Sequence, residues 1–378
     1  MNPFEGKDAV VYVHNMTNLG GGERSALAFV RALSILGFDA EVVTMTKPVV
    51  SSERITDCFG DEFEGVKVSY REPREDGKWS GDAPFLFINL SHANFMANPS
   101  PLGVYRLLFP VCPILCENSA QVVDDLCSYN MMLSNSSFTK QYADLLWDYP
   151  IERSHVLNSP LRTSIAATGE QLLIDPPVKK KKFVNIGRIE TYKNQKLLID
   201  AFLDAQSRVS FMKDWQLILI GNVANSEGSQ EYFKACQDAA EQSNGAVEIK
   251  GDVSHLELEA HLSEAFGYVH GMGAFIPPSK SPQYCEHFGQ TIVEAMAYGC
   301  IPLVYARGGI FDVLNVDHGG IPYMTYEGLV EGFEEIAELW GKPEVTAMQK
   351  KMIEGALDVR FERFTDRLGE FLTKEMES

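Results

Sequence analysis

The sequence predicts an α/β protein of two domains, each built around a doubly wound parallel sheet. With 378 residues, the chain is long enough for two domains that each bury a core. Short β-rich runs alternate with helical segments along both halves, a pattern typical of parallel strands connected by helices. Such sheets bind ligands at the carboxyl ends of their strands. Functional residues are therefore expected directly after each predicted strand.

Composition and charge narrow the range of functions. Hydrophobic residues make up 45% and charged residues 22% of the chain, as in soluble globular proteins. The formal net charge of −19 argues against a nucleic-acid partner and does not favour peripheral contact with an anionic membrane. The N-terminus lacks the pattern of a secretory signal, and the apolar runs are too short for a membrane-spanning helix. We expect a cytoplasmic protein.

The cysteines do not form a recognisable metal or disulfide pattern. Their number, seven, is odd, and they lack paired CxxC spacing, which favours reduced thiols. Cys112 and Cys116 lie four residues apart, but no second pair or histidine cluster completes a zinc-binding set. We expect no metal site.

The first domain is predicted to begin with a strand at residues 9–14 and a helix at residues 25–36. Between them, Gly20, Gly21 and Gly22 form either a flexible turn or bare backbone that approaches a phosphate or a sugar. Their spacing is not G-x-G-x-x-G, so a dinucleotide fingerprint is not supported. Further strands are predicted at residues 41–46, 66–70, 85–89, 104–109 and 130–134, and helices at 120–127 and 137–147.

His92 follows the predicted strand at residues 85–89 and so lies at the carboxyl end of the first sheet. A histidine in that position is suited to orienting or deprotonating a substrate hydroxyl. The alternative is a loop histidine with no role.

Residues 166–182 (AATGEQLLIDPPVKKKK) contain two prolines and four consecutive lysines, and are predicted to form an interdomain linker. The lysine run fits a solvated linker better than contact with a membrane headgroup or an anionic substrate.

The second domain is predicted to start with a strand at residues 183–187, and Arg188 lies at the carboxyl end of this strand. Lys193 and Asn194 follow, just before a helix at residues 197–205. A guanidinium and an ammonium group at such a turn suit a diphosphate, and a structural salt bridge is the alternative. Strands at residues 216–221 and 247–251 and helices at residues 230–241 and 255–266 come next.

The most informative stretch is residues 284–305 (YCEHFGQTIVEAMAYGCIPLVY). Its apolar spacing predicts a helix that starts near Phe288 or Gly289 and stops at Gly299, followed by a strand at residues 301–305. The free N–H groups of the first helical turn would form an anion site suited to phosphate.

Two acids flank the start of this helix. Glu286 is predicted to lie in the preceding loop, and Glu294 in the helix. Glu294 would be roughly 7 Å further along the axis, the scale needed to bond a ribose while the helix start holds a diphosphate. The alternative is one surface acid and one helix-borne acid without a ligand.

Glu-x7-Glu with an internal Phe-Gly pair, followed by an apolar helix and Gly-Cys-Ile-Pro, resembles the signature of retaining glycosyltransferases with the GT-B fold. Specifically, it is similar to the large family related to sucrose and glycogen synthases and to bacterial mannosyl-, glucosyl- and N-acetylglucosaminyltransferases. G-R-x4-K-N at residues 187–194 resembles the diphosphate clamp of that family. The resemblance covers nearly the whole chain, strongly over residues 183–305 and loosely over residues 1–160.

The resemblance implies a role for each motif residue. Arg188 and Lys193 would stabilise the leaving nucleoside diphosphate, Glu286 would contact the donor sugar, and Glu294 would hold the ribose. The other donor-binding residues would be Gly21, Gly22, Gly187, Asn194, Asp252, Val253, His287, Phe288, Gly289 and Gln290. His92 is the acceptor-side candidate, because the usual acceptor-side histidine of the family has no match near Pro110.

The implied architecture is GT-B, in which two Rossmann-like domains face each other across a cleft. The acceptor-side domain would span residues 1–165, the linker 166–182 and the nucleotide-sugar domain 183–355. Residues 356–378 would form a helix that packs back on the first domain.

The implied reaction moves a hexosyl unit from a nucleoside-diphosphate sugar, expected to be UDP- or GDP-linked, to a hydroxyl of a saccharide or glycoconjugate, with retention of configuration. No cofactor or divalent metal is implied. A nucleotide-sugar-binding protein with an inactive transferase fold is one alternative, which the unmatched histidine favours. A nonhydrolysing nucleotide-sugar epimerase is the other, and the motifs fit it less well.

Overall fold

The computed structural model divides the chain into two α/β units, one formed by residues 1–160 and 359–378 and the other by residues 161–358. It describes residues 2–17, 19–47, 49–72, 74, 78–90, 95–110, 119–147, 149–251, 253–277, 281–314 and 319–377. The described strands are β1 (Asp8–Val13), β2 (Asp39–Thr44), β3 (Lys67–Tyr70), β4 (Leu86–Asn89), β5 (Leu102–Leu107), β6 (Met131–Ser134), β7 (Ser154–Val156), β8 (Lys180–Ile186), β9 (Gln216–Ile220), β10 (Val247–Lys250), β11 (Ala265–His270), β12 (Ile301–Tyr305) and β13 (Ile321–Tyr323). The described helices are α1 (Gly21–Leu36), α2 (Ser52–Phe59), α3 (Ser119–Cys127), α4 (Ser137–Leu146), α5 (Thr163–Ile174), α6 (Gln195–Arg208), α7 (Glu227–Glu241), α8 (His255–Glu264), α9 (Gln290–Ala297), α10 (Tyr326–Glu338), α11 (Val345–Leu357) and α12 (Phe361–Glu377).

The first unit contains a parallel sheet whose strand order, over the described residues, is β3-β2-β1-β4-β5-β6-β7. β1 pairs in parallel with both β2 and β4. All of β1 after Asp8 is buried, as expected of a strand that helices cover on both faces. The strand order reverses between β1 and β4, which is where doubly wound sheets place their ligands.

The start of α1 differs from the prediction. The helix begins at Gly21, because the carboxylate of Glu23 accepts a hydrogen bond from the Gly20 N–H at 2.9 Å and caps the first turn. Gly21 and Gly22 therefore lie in a helical turn rather than in a flexible loop. Capping outweighs the low helix propensity of glycine here.

The C-terminal helix α12 belongs to the first unit. Its residue Phe364 packs edge-to-face on Phe29 of α1, with 5.0 Å between ring centroids. Leu368 and Leu372 continue the same face at four-residue spacing and are fully buried. This helix completes the core of the first unit.

The second unit contains a parallel sheet with the order β10-β9-β8-β11-β12-β13 in the described part of the chain. Phe183 in β8 is at its core and contacts the rings of Phe202, Trp215 and Phe333 at centroid distances of 4.9–6.1 Å. A Cβ on Gly267 of β11 would lie 2.4 Å from the Phe183 ring, so this ring fills the space that a side chain would need. The strand order reverses between β8 and β11.

The structure corrects the predicted linker. Residues 163–174 form α5, and the lysine run enters β8, so most of residues 166–182 is regular structure of the second unit. Proline and lysine content suggested a solvated segment, but the neighbouring elements supply partners for each lysine. Lys179 donates hydrogen bonds to the carbonyl oxygens of Leu262, Ser263 and Tyr298, Lys181 pairs with Asp214, and both Lys180 and Lys182 pair with Glu264.

This lysine–acid cluster predicts a pH dependence of stability. Hydrogen bonds from Lys180 and then Lys182 lower the pKa of Glu264 from 4.5 to about 2. The bonds therefore stabilise the fold above about pH 4.5, and the stabilisation is lost as the pH falls toward about 2. Because Glu264 is about one-third exposed, we expect solvent to limit the effect to about 1 kcal/mol.

Glu264→Gln tests this expectation. The free energy of unfolding in urea should be lower for the variant than for the native chain at pH 6, and the difference should shrink at pH 3. Glu231→Gln, at an exposed position of α7, is the control. A difference that stays constant between the two pH values would contradict the assignment.

Among the described residues, no helix combines the length and the apolar character needed to cross a lipid bilayer.

Candidate active site

The candidate site lies at the carboxyl ends of β8 and β11, where the order of the second sheet reverses. The loops that follow these two strands are bonded to each other. Asn194 Nδ2 donates a hydrogen bond to the Gly271 carbonyl oxygen at 2.8 Å, and the Gly273 N–H donates to the Tyr192 carbonyl oxygen at 3.0 Å. The two loops therefore form one hydrogen-bonded unit.

Asn194 shapes the turn before α6. Its backbone adopts a left-handed conformation (φ 60°, ψ 30°), which asparagine tolerates better than most residues. The turn carries Lys193, whose Nζ lies 3.8 Å from Oε2 of Glu286 and 3.0 Å from Sδ of Met272. The structure thus brings the predicted clamp lysine beside the predicted sugar-binding acid.

Glu286 lies in the loop before α9, as predicted, and its carboxylate is held from several sides. Oε1 accepts a hydrogen bond from the Gly289 N–H at 2.9 Å, and Oε2 lies 3.1 Å from Nε2 of His270. The backbone is fixed as well, since the Gly309 N–H donates to the Glu286 carbonyl oxygen at 2.8 Å. A Cβ on Gly308 would come within 2.2 Å of that oxygen, so this close approach requires glycine.

The charge on Glu286 is stabilised. Burial, the largest influence, favours the neutral acid, but the positive charge of Lys193 and the hydrogen bond with His270 hold the pKa of this carboxyl well below its usual range. Glu286 is therefore a partly buried, fixed carboxylate that accepts hydrogen bonds and does not donate them.

His270 is not among the site residues predicted from the sequence, where its position at the start of a long loop favoured a loop histidine or one that supports the site from behind. It is the last residue of β11, is 4% exposed and contacts Glu286. Its place at the carboxyl end of a central strand, directly before a glycine, is the signal that would have marked it.

Arg188 follows β8, and its side chain contacts Glu190 and Tyr192, whereas Lys193 contacts Glu286. Its guanidinium contacts Glu190 at 3.3 Å and donates to the Tyr192 hydroxyl at 3.1 Å. It remains 67% exposed and so is accessible to an anion. Gly187, just before it, is only partly buried, and no described atom lies within 4 Å of the position that a Cβ would occupy.

Helix α9 starts at Gln290, one or two residues later than predicted. Gly289 precedes it in a left-handed conformation (φ 89°) that cannot continue a helix, and Phe288 is buried before it. The N–H groups of Ile292 and Val293 donate to the Gly289 carbonyl oxygen, and the positive end of the α9 dipole at this point suits an anion. This helix start is next to the Glu286 carboxylate.

Glu294 lies in α9, as predicted, and is 3% exposed. Its Oε1 is 3.2 Å from Nε of Arg162, a residue that precedes α5 and that the sequence analysis did not single out. No local pattern connects these two residues, which are 132 positions apart (294 − 162). Only the fold of the second unit makes them neighbours.

The remaining predicted residues are more dispersed. Val253 follows β10 and its N–H donates to the Gly251 carbonyl oxygen at 2.8 Å, in the segment predicted to flank the base. His287 lies next to Glu286 in sequence and its Nε2 is 3.1 Å from the Gln283 carbonyl oxygen. Gly21 and Gly22 belong to the first unit. His92 and Asp252 lie outside the described residues.

Comparison with known proteins identifies relatives of this chain. Residues 174–356 match the family model described as Glycosyl transferases group 1. The human GDP-Man:Man(3)GlcNAc(2)-PP-Dol alpha-1,2-mannosyltransferase is 26% identical over 253 residues, covering 64% of this chain and 46% of the relative. The chain thus spans about half the length of this curated relative.

Solved structures match over nearly the whole length. A glycosyltransferase from Rickettsia africae has a TM-score of 0.71 at 12% identity, covering 98% of this chain and 99% of that chain. Anabaena HepE in complex with UDP and glucose has a TM-score of 0.69 at 14% identity, covering 96% of this chain and 99% of that chain. At such identities the likeness concerns the fold, which is GT-B with two Rossmann-like units.

Proposed function

We propose that this chain, which has the GT-B fold and matches the model of Glycosyl transferases group 1 over residues 174–356, transfers a hexosyl unit from a nucleoside-diphosphate sugar to an acceptor hydroxyl, with retention of configuration. The family model covers the unit that carries the candidate site. The human relative is named for a GDP-mannose donor, and the HepE structure contains UDP and glucose. A nucleoside diphosphate is common to both.

The observation that carries the proposal is the fixed carboxylate of Glu286 beside the Lys193 ammonium and the start of α9. A diphosphate at the helix start would meet backbone N–H groups and a cation. A sugar attached to that diphosphate would present hydroxyls, and an ionised carboxylate is a suitable acceptor for them. The residues thus match the two halves of a nucleotide sugar.

Each residue then has a role. Arg188 and Lys193 stabilise the negative charge that develops on the leaving diphosphate as the glycosidic bond to it breaks. Glu286 orients the sugar ring, and Glu294 binds the ribose. The leaving phosphate oxygen accepts the proton of the acceptor hydroxyl on the same face of the sugar. The acceptor is a saccharide or glycoconjugate.

We propose GDP-mannose as the first donor to test and UDP-glucose as the second. Each would be incubated with the full chain and a set of saccharide acceptors, and the product would be followed by NMR. Transfer with the anomeric configuration of the donor is the expected result. Inversion would contradict the mechanism, donor epimerisation would favour an epimerase, and nucleotide binding without turnover would favour an inactive fold.

The same reaction tests the role of the two cations. Because Arg188 and Lys193 would supply the positive charge at the diphosphate, we expect the rate to be unchanged after treatment with EDTA. A rate that EDTA abolishes and Mg²⁺ or Mn²⁺ restores would contradict this expectation. We propose that the reaction takes place in the cytoplasm.

A further inference from the structure

Glu294 is held by a residue that neither its motif nor the family model includes. Its carboxylate is almost fully buried, and Arg162 Nε lies 3.2 Å from Oε1. The Arg162 side chain is itself only 14% exposed. The contact is an ion pair rather than a well-aligned hydrogen bond, and it places a cation beside a buried acid.

Arg162 also contacts the start of α8. Its NH1 lies 2.9 Å from Nδ1 of His255, and His255 Nε2 lies 2.8 Å from Oε1 of Glu259. His255 is the first residue of α8, two positions after Val253 in the segment predicted to flank the base. Arg162 therefore connects the predicted ribose acid with the element that follows the predicted base segment.

The physical consequence concerns the direction of the Glu294 carboxylate. Burial disfavours an ionised carboxylate unless a partner compensates for the lost hydration. An arginine stays protonated and presents donors in a rigid planar fork, so it can keep a carboxylate charged and restrict its rotation. A ribose diol needs such an oriented acceptor, because its two hydroxyls are donors at fixed positions.

We propose that Arg162 is a positioning residue for the donor nucleotide. It directs the Glu294 carboxylate at the ribose hydroxyls, and through its contact with His255 it connects the ribose side of the site with the base side. This inference rests on the proposed function, since it requires that Glu294 binds a ribose.

The test compares a nucleotide with its analogue that lacks the ribose hydroxyls. Dissociation constants of GDP and 2′,3′-dideoxy-GDP, or of the corresponding uridine nucleotides if UDP is the ligand, are measured by calorimetry. The native chain should bind the hydroxylated nucleotide roughly 10- to 100-fold more tightly, as expected for hydrogen bonds to a charged group. Arg162→Ala should remove most of this preference while binding the dideoxy analogue as the native chain does.

A second background separates positioning from general damage. In Glu294→Gln, the preference for the ribose hydroxyls should already be reduced, and adding Arg162→Ala should cause no further loss. Arg162→Ala alone leaves the buried Glu294 carboxylate without its cation. The double variant replaces that carboxylate by a neutral amide, so it should fold even if Arg162→Ala alone does not. Arg208→Ala is the control. Arg208 is an exposed residue at the end of α6 that pairs with Glu327, and its removal should leave the preference for the ribose hydroxyls unchanged.

The outcomes are distinct. Equal weakening of both nucleotides by Arg162→Ala, or an equal further loss in the Glu294→Gln background, would overturn the role of Arg162. Tight binding by the native chain without any preference for the ribose hydroxyls would overturn the pairing of Glu294 with ribose, and the role of Arg162 with it, but leave a nucleotide site. Failure of the folded native chain to bind GDP or UDP would overturn the proposed function itself, together with this inference.

Discussion

Lys193→Met is expected to lower the turnover number by roughly 10²- to 10³-fold, the loss typical of removing one preorganised electrostatic group from a site where charge develops. Methionine keeps most of the apolar stem of lysine but removes the charge. Because the lysine is proposed to act on the departing diphosphate, the turnover number should fall more than the affinity for the donor. Steady-state kinetics with the preferred donor measures both quantities.

The same substitution should change the pH profile. In the native protein, Lys193 is the strongest of the interactions that oppose burial and keep the pKa of Glu286 low. Without Lys193, burial is less opposed and the pKa of Glu286 rises. Residual activity should therefore decline at a higher pH than in the native enzyme as the solution is acidified.

Lys196→Met is the matched control. Lys196 lies three residues further on, in the first turn of α6, where it pairs with Asp200 and is about one-third exposed. Its removal should leave the turnover number within about threefold, since an isolated surface pair contributes little. If Lys193→Met behaved like this control, the proposed electrostatic role of Lys193 would be wrong.

His270→Ala is expected to lower the turnover number by roughly 10- to 100-fold, which corresponds to a lost hydrogen bond to a charged group of about 1.5–3 kcal/mol. Nε2 of His270 lies 3.1 Å from Glu286 in a buried setting, where water replaces the lost donor poorly. His270 would act through Glu286 and is therefore a positioning residue. The affinity for GDP without sugar should change little, because Glu286 is proposed to contact the sugar.

His270→Gln distinguishes positioning from packing. A glutamine amide can place a donor near the position of Nε2, so this variant should recover much of the lost turnover. His261→Ala, at a half-buried histidine of α8, is the control for the loss of a histidine from the second unit. Equal loss in His270→Ala and His270→Gln, with unchanged thermal stability, would show that the hydrogen bond to Glu286 is not what matters.

Local patterns in the sequence determined most of the elements around the site. The predicted strand at residues 301–305 coincides with β12, and Gly299 stops α9 with a φ of 71°. Glu286 lies in the loop and Glu294 in the helix, as predicted. These features depend on side-chain periodicity and on backbone conformations that only certain residues adopt, so a short window of sequence contains them.

Boundaries and exposure were less predictable. Helix α1 starts at Gly21, earlier than predicted, because the Glu23 carboxylate caps its first turn. Of the lysine run at residues 179–182, Lys179 directly precedes β8 and the other three lysines lie in it. In both cases a partner outside the predicted segment or a single hydrogen bond outweighed the local propensity. Composition alone cannot reveal such partners.

The arrangement of the site was decided by tertiary structure. His270 reaches Glu286 because parallel strands bring the segments at their carboxyl ends together, and Arg162 reaches Glu294 because α5 packs against α9. The charge state of Glu286 depends on its burial and on Lys193 and His270, which also become neighbours only in the fold. The sequence by itself determined which acids and cations were present and on which elements they lie. Which cation faces which acid depended on packing, because distances between residues far apart in the chain are set only when the sheet forms.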